Sequence, residues 1–152
     1  TRQAVQLLLT VIASSVDGDV HISIEAVPDI DAFRRANPEH IVAPLQSHLA
    51  KGATGRQQIV YTLGSRAAGD RLVGLASDNM AWATPQNVKL ELQYPTAGVG
   101  AYLSYVEVVV SQSSANGRGY VVSGGVGQRA VHLVIEAYDT VYFNYAAGIY
   151  GF

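Results

Sequence analysis

The stretch of sequence that decides the fold runs from Gly117 to Phe152 and reads GRGYVVSGGVGQRAVHLVIEAYDTVYFNYAAGIYGF. It contains runs of alternating β-branched and aromatic residues, which are separated by glycines. Glycine allows the chain to turn where a Cβ atom would clash, and β-branched and aromatic residues favour extended backbone. The stretch therefore predicts an antiparallel β-scaffold, and it contains no apparent reactive site.

Strand patterns of the same kind continue through the chain from residue 57 onward and occur once before it. The predicted strands are Val20–Ile24, Gln57–Leu63, Arg71–Ala76, Asn87–Tyr94, Tyr102–Ser111, Gly119–Ser123, Val131–Tyr138 and Val141–Ala147. Seven to eight short strands at this spacing predict an all-β fold, either an antiparallel β-sandwich or a barrel-like sheet. The chain divides into an apolar leader (1–18), a segment with a strand and short helices (19–55) and a β-domain (56–152).

The first 18 residues allow two interpretations. A basic residue, an apolar stretch and small residues follow one another, with Val16 and Gly18 at acceptable positions for cleavage before Asp19. This order is typical of a secretory signal peptide, and the stretch is too short to cross a bilayer. Alternatively, the leader is a retained, mostly buried helix with a narrow polar stripe, which consists of Gln3, Gln6, Thr10 and Ser14. The second interpretation predicts an N-terminal helical extension of the β-domain.

The segment from Asp29 to Gly52 has the clearest helix pattern. Asn37-Pro38-Glu39 combines a capping residue, a proline at the first helical position and an acid, and Lys51-Gly52 is typical of a helix end. The apolar residues at helical spacing between them are Ile41, Val42, Leu45 and Leu49. Pro44 interrupts this pattern, so we expect one or two short helices here.

The composition argues against several classes of function. Charged residues make up 14% of the chain, well below the roughly 25% of an ordinary soluble domain, so much of the surface must be uncharged or buried in a partner. A net charge of -2 predicts no direct contact with nucleic acid and no electrostatic attraction to an anionic membrane. The absence of cysteine excludes disulfides, thiol catalysis and cysteine metal sites.

No group of residues predicts catalysis, a cofactor or a metal. The four histidines include no HxH or HxxxH pair, whereas zinc needs three or four converging ligands. Glu107 and Glu136 would form an acid pair only if they faced one cleft; otherwise each points outward beside a basic residue or pairs across strands. The glycines from Gly124 to Gly127 lack the lysine of a phosphate-binding loop. We therefore expect that the protein is not an enzyme.

Aromatic residues near the end of the chain point to binding instead. Rings with a polar tip suit interfaces, so an uncovered face of the last strands would be a binding or assembly surface. Alternatively, these residues are strand formers spread over a pleated sheet. The interaction candidates are Tyr138, Tyr142, Tyr145, Tyr150 and Phe152, together with Leu7, Leu8 and Val11 of the apolar leader.

Four motifs in the last two-thirds of the chain match one protein family. In chain order they are YTLGSRAAGDRLV at Tyr61–Val73, QYPTAGVGAYLSYVEV at Gln93–Val108, GRGYVVSGGVGQR at Gly117–Arg129 and VIEAYDTVYFNYAAGIYG at Val134–Gly151. With these motifs, the chain from Ile59 to Phe152 resembles the multiprotein bridging factor 2 family, an insect group that includes the gut response-to-pathogen proteins. Residues 1–55 lie outside the resemblance, apart from the apolar leader that many members carry.

The resemblance implies protein partners and supplies no catalytic residues. The founder of the family was described as a transcriptional coactivator that bridges a DNA-bound regulator to the basal machinery, and many members resemble secreted proteins induced by infection or toxin. We expect a secreted, non-enzymatic interaction protein, related to stress or immunity, that forms homo-oligomers and has no transmembrane insertion. The alternatives are a nuclear or cytoplasmic coactivator and a carrier of a small apolar ligand.

Overall fold

A computed structural model describes residues 9–13, 19–38, 43–51 and 57–152, which form one antiparallel sheet and one short helix. The sheet has nine strands. They are β1 (Leu9–Ala13), β2 (Val20–Ala26), β3 (Ala43–Pro44), β4 (Gln46–Lys51), β5 (Gln57–Gly64), β6 (Arg71–Tyr94), β7 (Leu103–Gln112), β8 (Gly117–Gly124) and β9 (Val131–Gly151). The helix is α1 (Ile30–Ala36). The predicted all-β class is confirmed.

Two long strands organise the sheet. β6 has 24 residues and β9 has 21, and they pair from Arg71 opposite Gly151 to Tyr94 opposite Val131. Along the other side of β9, β8 pairs with its first half and β7 with its second half. The predicted strands on either side of residues 77–86 are the two ends of β6, and the two predicted after residue 130 are both parts of β9.

β6, β9 and the successive strands β7 and β8 lie side by side, and all are irregular at the same height along the sheet. β6 has register shifts between Ala81 and Val88, Asp139 of β9 has a φ of 56°, and β7 and β8 are separated by residues 113–116. Aligned bulges bend a sheet, and here they divide it into two layers. The first layer contains β1, β2, β3, β8, residues 88–94 of β6 and 131–137 of β9; the second contains β4, β5, β7, residues 71–81 of β6 and 142–151 of β9.

The two layers face each other across one apolar core. Val20, Ile22 and Ile24 of the first layer belong to the same buried cluster as Val106 and Phe143 of the second. The packing is close: a Cβ atom built on Gly74 of the second layer would lie 2.6 Å from Val20 Cγ2. The molecule is therefore a β-sandwich made by bending a single sheet, and alternate residues of each strand point away from the core.

Helix α1 lies on the outer side of the first layer. The Asp29 carboxylate caps it by accepting the Ala32 N–H at 3.0 Å, and Ile30 is buried. The Lys89 ammonium of β6 lies 5.3 Å from the centre of the Phe33 ring. The predicted helix start at Asn37 is wrong, because Asn37 is the C-cap and its N–H donates to the carbonyl groups of the last turn.

The helical interpretation also fails at two other places. Gln46–Lys51 is a strand paired with β5, and Leu49, placed by spacing on the apolar side of a helix, is exposed. Leu9–Ala13 is a strand paired with β2, so a retained helix is wrong at those residues. Pairing with a neighbouring strand outweighs a short 3.6-residue pattern in both cases. The signal-peptide interpretation stays a prediction, and residues 1–8, 14–18, 39–42 and 52–56 lie outside the described residues.

Candidate functional site

The predicted tyrosine candidates do not share one surface. Tyr145 points into the core and is 3% exposed, whereas its neighbours on β9, Tyr142 and Tyr150, are half-buried on the outer side of the second layer. Tyr138 lies near the bend, in a polar cluster on the outer side of the first layer. Alternation along β9 separates these residues, since successive side chains of a strand point to opposite faces.

The other interaction candidates are equally dispersed. Phe152 is exposed at the end of the sheet that lies opposite the bend. Val11 belongs to β1 at the edge of the first layer, and Leu7 and Leu8 lie outside the described residues. A single aromatic patch formed by the predicted residues is therefore not what the structure shows.

Glu136 is the most deeply buried charged group in the described chain. It points to the outer side of the first layer, is 0% exposed, and accepts hydrogen bonds from the hydroxyl groups of Tyr120 and Tyr138. Arg34 of helix α1 covers it, with Nε 3.1 Å from Oε1. Arg118 of β8 contributes a longer contact of 3.6 Å to the same oxygen. The side chain is thus paired with basic residues, as one interpretation of the sequence predicted, but it is buried under the helix.

The environment of Glu136 keeps this carboxylate ionised. Burial alone would raise its pKa, but the hydrogen bonds from Tyr120, Tyr138 and Arg34 outweigh burial and hold the pKa below its ordinary value. Burial and the same carboxylate raise the pKa of both tyrosines, so their hydroxyl groups stay protonated as donors. Arg34 and both tyrosines donate to the carboxylate, so it serves here as an ionised acceptor. Glu107 lies in the second layer and faces no common cleft with Glu136.

A second polar row lies beside this cluster. The Glu91 carboxylate is 3.1 Å from Nε2 of His132 and also contacts the Lys89 ammonium, which lies 3.5 Å from Glu25. The hydrogen bond to His132 and the Lys89 contact outweigh burial and lower the pKa of Glu91 to about 2. The outer side of the first layer is thus occupied by helix α1 and by ion pairs that satisfy one another.

The outer side of the second layer has a different character, and no described helix or strand covers it. Strand register places its side chains in three rows that cross five strands, which we call the open face. The rows are Gln46–Thr62–Glu107–Gly148–Leu75, His48–Val60–Val109–Ala146–Ser77 and Ala50–Gln58–Ser111–Asn144–Asn79. Glu107 is the only acidic or Lys/Arg side chain among these positions, and it accepts a hydrogen bond of 3.0 Å from the hydroxyl of Tyr105.

Differences in side-chain size make the surface of the open face uneven. β9 contributes only Asn144, Ala146 and Gly148 to the three rows, so its middle is low. Tyr150 borders this low strip at one end, with the Arg66 guanidinium stacked 4.0 Å from its ring centre. Tyr142 borders it at the other, beside an open depression of about 490 Å³ that Asn79 and Asn144 also line. The face is therefore a shallow trough between aromatic borders, with Glu107 as the single charged side chain in its rows.

The described parts of the chain form neither a metal-binding cluster nor a membrane-spanning helix. Across residues 19–38, 43–51 and 57–152, no three His, Asp or Glu side chains come together as a set that could hold a metal ion. Helix α1 is the one described helix, and no described helix is long and apolar enough to span a membrane. The candidate site of this protein is the open face.

Fold and site together define an all-β protein in which a single bent sheet forms a sandwich with one covered and one open outer side. A family model described as transcription activator MBF2 matches residues 63–151. The chain therefore belongs to this family, and the resemblance stated from its motifs is confirmed. No curated protein and no solved structure matches the chain.

Proposed function

We propose that the protein is a secreted, non-enzymatic interaction protein that binds protein partners, including copies of itself, through the open face. The observation that carries the proposal is the near absence of charge over three rows of five side chains. Charged groups lose the most hydration free energy on binding, so a face with one charge costs less to cover than a highly charged one, as long as its amides and hydroxyls are hydrogen-bonded by the partner. Export of the protein is supported by the basic, apolar and small residues of its leader.

The size of the open face is typical of a weak contact. Five strands about 4.8 Å apart and five to six residues of about 3.3 Å each define an area of about 20 Å by 20 Å. Two copies that bury this area would hide about 800 Å² in total, which is the range of weak or transient complexes. We therefore expect self-association that depends on protein concentration.

Replacement of Ala146 by arginine tests the proposal. Ala146 is an exposed residue in the middle row, so Ala146→Arg adds a long charged side chain to the trough and leaves the core intact. Light scattering of the purified full chain over a concentration series should show assembly of the wild type and at least a tenfold weaker association of the variant, about 1.4 kcal/mol.

The matched control is Ala36→Arg, which adds the same charge to an exposed position of helix α1. It should assemble like the wild type, and circular dichroism should show the same fold for all three proteins. A wild type that stays monomeric at all concentrations and binds no protein partner would refute the proposal.

A second candidate function is a transcriptional coactivator, and the description of the matching family supports it. The same open face would then contact a DNA-bound regulator and the basal machinery. This function requires nuclear residence and an unprocessed N-terminus. Immunolocalisation confined to gut lumen or haemolymph, with a native N-terminus at Asp19, would exclude it. The buried side chains that pack between the layers give the alternative of an apolar-ligand carrier no support.

A further inference from the structure

The exposed apolar side chains of the protein concentrate at one end of the sandwich. Seven large apolar residues are exposed in the described chain, and four of them lie on the connections opposite the bend or at residue 152. These four are Val99 (75% exposed), Tyr102 (49%), Val126 (45%) and Phe152 (52%). A fifth, Leu72, lies at the border of this region, opposite Tyr150. We call residues 64–70, 95–102, 124–130 and 152 the loop end.

Backbone hydrogen bonds join the segments of the loop end into one platform. The Gly127 N–H donates to the carbonyl of Leu103 at 2.8 Å, and the Leu103 N–H donates to the carbonyl of Gln128 at 2.9 Å. The Phe152 N–H donates to the carbonyl of Tyr102 at 2.9 Å. Because three separate segments are tied together in this way, their apolar side chains are presented together and lose little conformational freedom on binding.

A cation without an acidic partner lies among these side chains. The guanidinium of Arg129 stacks 4.0 Å from the centre of the Tyr102 ring and donates to the carbonyl of Gly100 at 3.0 Å. No carboxylate of the described residues forms an ion pair with it. Arg66, by contrast, forms a bidentate pair with Asp70. Arg129 is therefore a positioned guanidinium, a group that matches the geometry of a phosphate.

The distribution of charge favours an anionic partner for this end, although the net charge of the chain is -2. The basic residues at or next to the loop end are Arg66, Arg71 and Arg129, against the acids Asp19 and Asp70. Arg66 and Asp70 neutralise each other, so Arg71 and Arg129 remain against Asp19, an excess of one positive side chain. The net charge of the whole chain predicted no attraction to an anionic membrane. That total does not show that this end is more positive than the rest of the chain.

We propose that the loop end docks on the surface of an anionic phospholipid bilayer. Val99, Val126 and Phe152 enter the boundary between headgroups and acyl chains, the ring of Tyr102 lies at headgroup level, and Arg129 binds a lipid phosphate. Separate apolar side chains on different loops suit a fluid layer, which needs no shape complementarity, and tyrosine is enriched at membrane interfaces. The surface is distinct from the open face, so this proposal holds or fails independently of the proposed function.

Vesicle cosedimentation with the purified full chain tests this docking. Vesicles of phosphatidylcholine containing phosphatidylserine should retain the wild type, and added salt should weaken the binding. Val99→Ser combined with Val126→Ser should lower the partition coefficient about tenfold, because both apolar anchors are lost. Arg129→Gln should lower it about fivefold on the anionic vesicles and much less on vesicles of phosphatidylcholine alone.

Leu49→Ser is the matched control, since Leu49 is equally exposed but lies on β4, outside the loop end. It should bind vesicles like the wild type, and all of these exposed positions should tolerate serine without unfolding. Failure of the wild type to bind anionic vesicles, or unchanged binding of the double variant, would overturn the proposal. So would loop-end variants that abolish assembly in the absence of lipid, since they would assign this end to a protein contact.

Discussion

At the residue scale, the pair between Arg34 and Glu136 shows how a buried charge is accommodated. The two residues are 102 positions apart in sequence, and their contact attaches helix α1 to the sheet. Glu136 was recognisable as a charge within an apolar strand, so the need for a partner followed from the sequence. The sequence did not show which basic residue is the partner, because this depends on where the helix lies.

Removal of Arg34 should therefore destabilise the protein. Arg34→Ala leaves a buried carboxylate with only its tyrosine donors and the distant Arg118, so we expect a loss of about 2 kcal/mol in the free energy of unfolding, measured with urea. Arg35→Ala on the same helix is the control, because Arg35 is exposed. Its effect should stay within about 0.5 kcal/mol. Equal effects of both variants would show that the Glu136 cluster adds nothing to stability.

The lowered pKa of Glu91 predicts how the free energy of unfolding depends on pH. Its pKa is lowered to about 2 in the folded protein, from an ordinary value of 4.5. A depressed carboxyl pKa contributes stability that is present above the unfolded value and is lost as the pH falls through the folded value. The loss attributable to Glu91 should thus occur between about pH 5 and pH 2 and reach on the order of 2 kcal/mol.

Urea unfolding at pH 7 and pH 3 measures this contribution. Glu91→Gln should be less stable than the wild type at pH 7, and the difference should shrink at pH 3. Glu25, which is more exposed than Glu91, provides the comparison, since Glu25→Gln removes a carboxylate that lies farther from Lys89, at 3.5 Å. A difference between wild type and Glu91→Gln that does not change with pH would contradict the assignment.

At the element scale, the long strands β6 and β9 both continue through the bend without ending there. The sequence showed a break at Asp139-Thr140, and the structure keeps β9 continuous there because Asp139 adopts a φ of 56°. The Asp139 N–H donates to the side chain of Asn87 on β6 at 3.0 Å, so the irregularities of the two strands support each other. Asp139-Thr140 was recognisable in the sequence as a break, but there it predicted a connection between two strands.

Substitutions at Asp139 test the role of this conformation. Asp139→Asn should be close to neutral, because asparagine tolerates the left-handed region, and Asp139→Gly should be neutral or slightly stabilising. Asp139→Val should cost about 2 kcal/mol, since a β-branched side chain clashes in that region. Urea midpoints of the three variants measure the order. A valine variant as stable as the asparagine variant would show that the positive φ is not required.

One short helix lies within residues 29–52, as predicted, but its predicted position was wrong for a reason that is also visible at this scale. Asn37-Pro38 fits a helix start and equally a helix end, because both residues are common on either side of a boundary. Asp29 was the true cap. Residues 46–51 contain only two apolar residues, the adjacent Leu49 and Ala50, and pairing with β5 satisfies their backbone groups instead. Short patterns of this kind are decided by the neighbouring strand.

At the scale of the whole molecule, the two outer sides of the bent sheet differ in what covers them and in their charge. The first layer uses its outer side for helix α1 and for ion pairs that stabilise the fold. The second layer leaves the open face free of charge except for Glu107, and the loop end carries the exposed apolar residues. If both proposals hold, protein contacts at the open face and lipid contacts at the loop end can occur together, because the three rows contain no loop-end residue and the two surfaces meet only at Arg66 and Tyr150.

The sequence by itself determined the all-β class, the family and the scarcity of charge, because these follow from composition, local alternation and motifs. Only the tertiary structure decided that Glu136 is buried under helix α1, that the tyrosines of β9 point in opposite directions relative to the core, and that Arg129 lies among exposed apolar side chains. The physical reason is the bend. It sets which residues distant in sequence meet, and strand register across the sheet, rather than local preference, determines which side each residue faces.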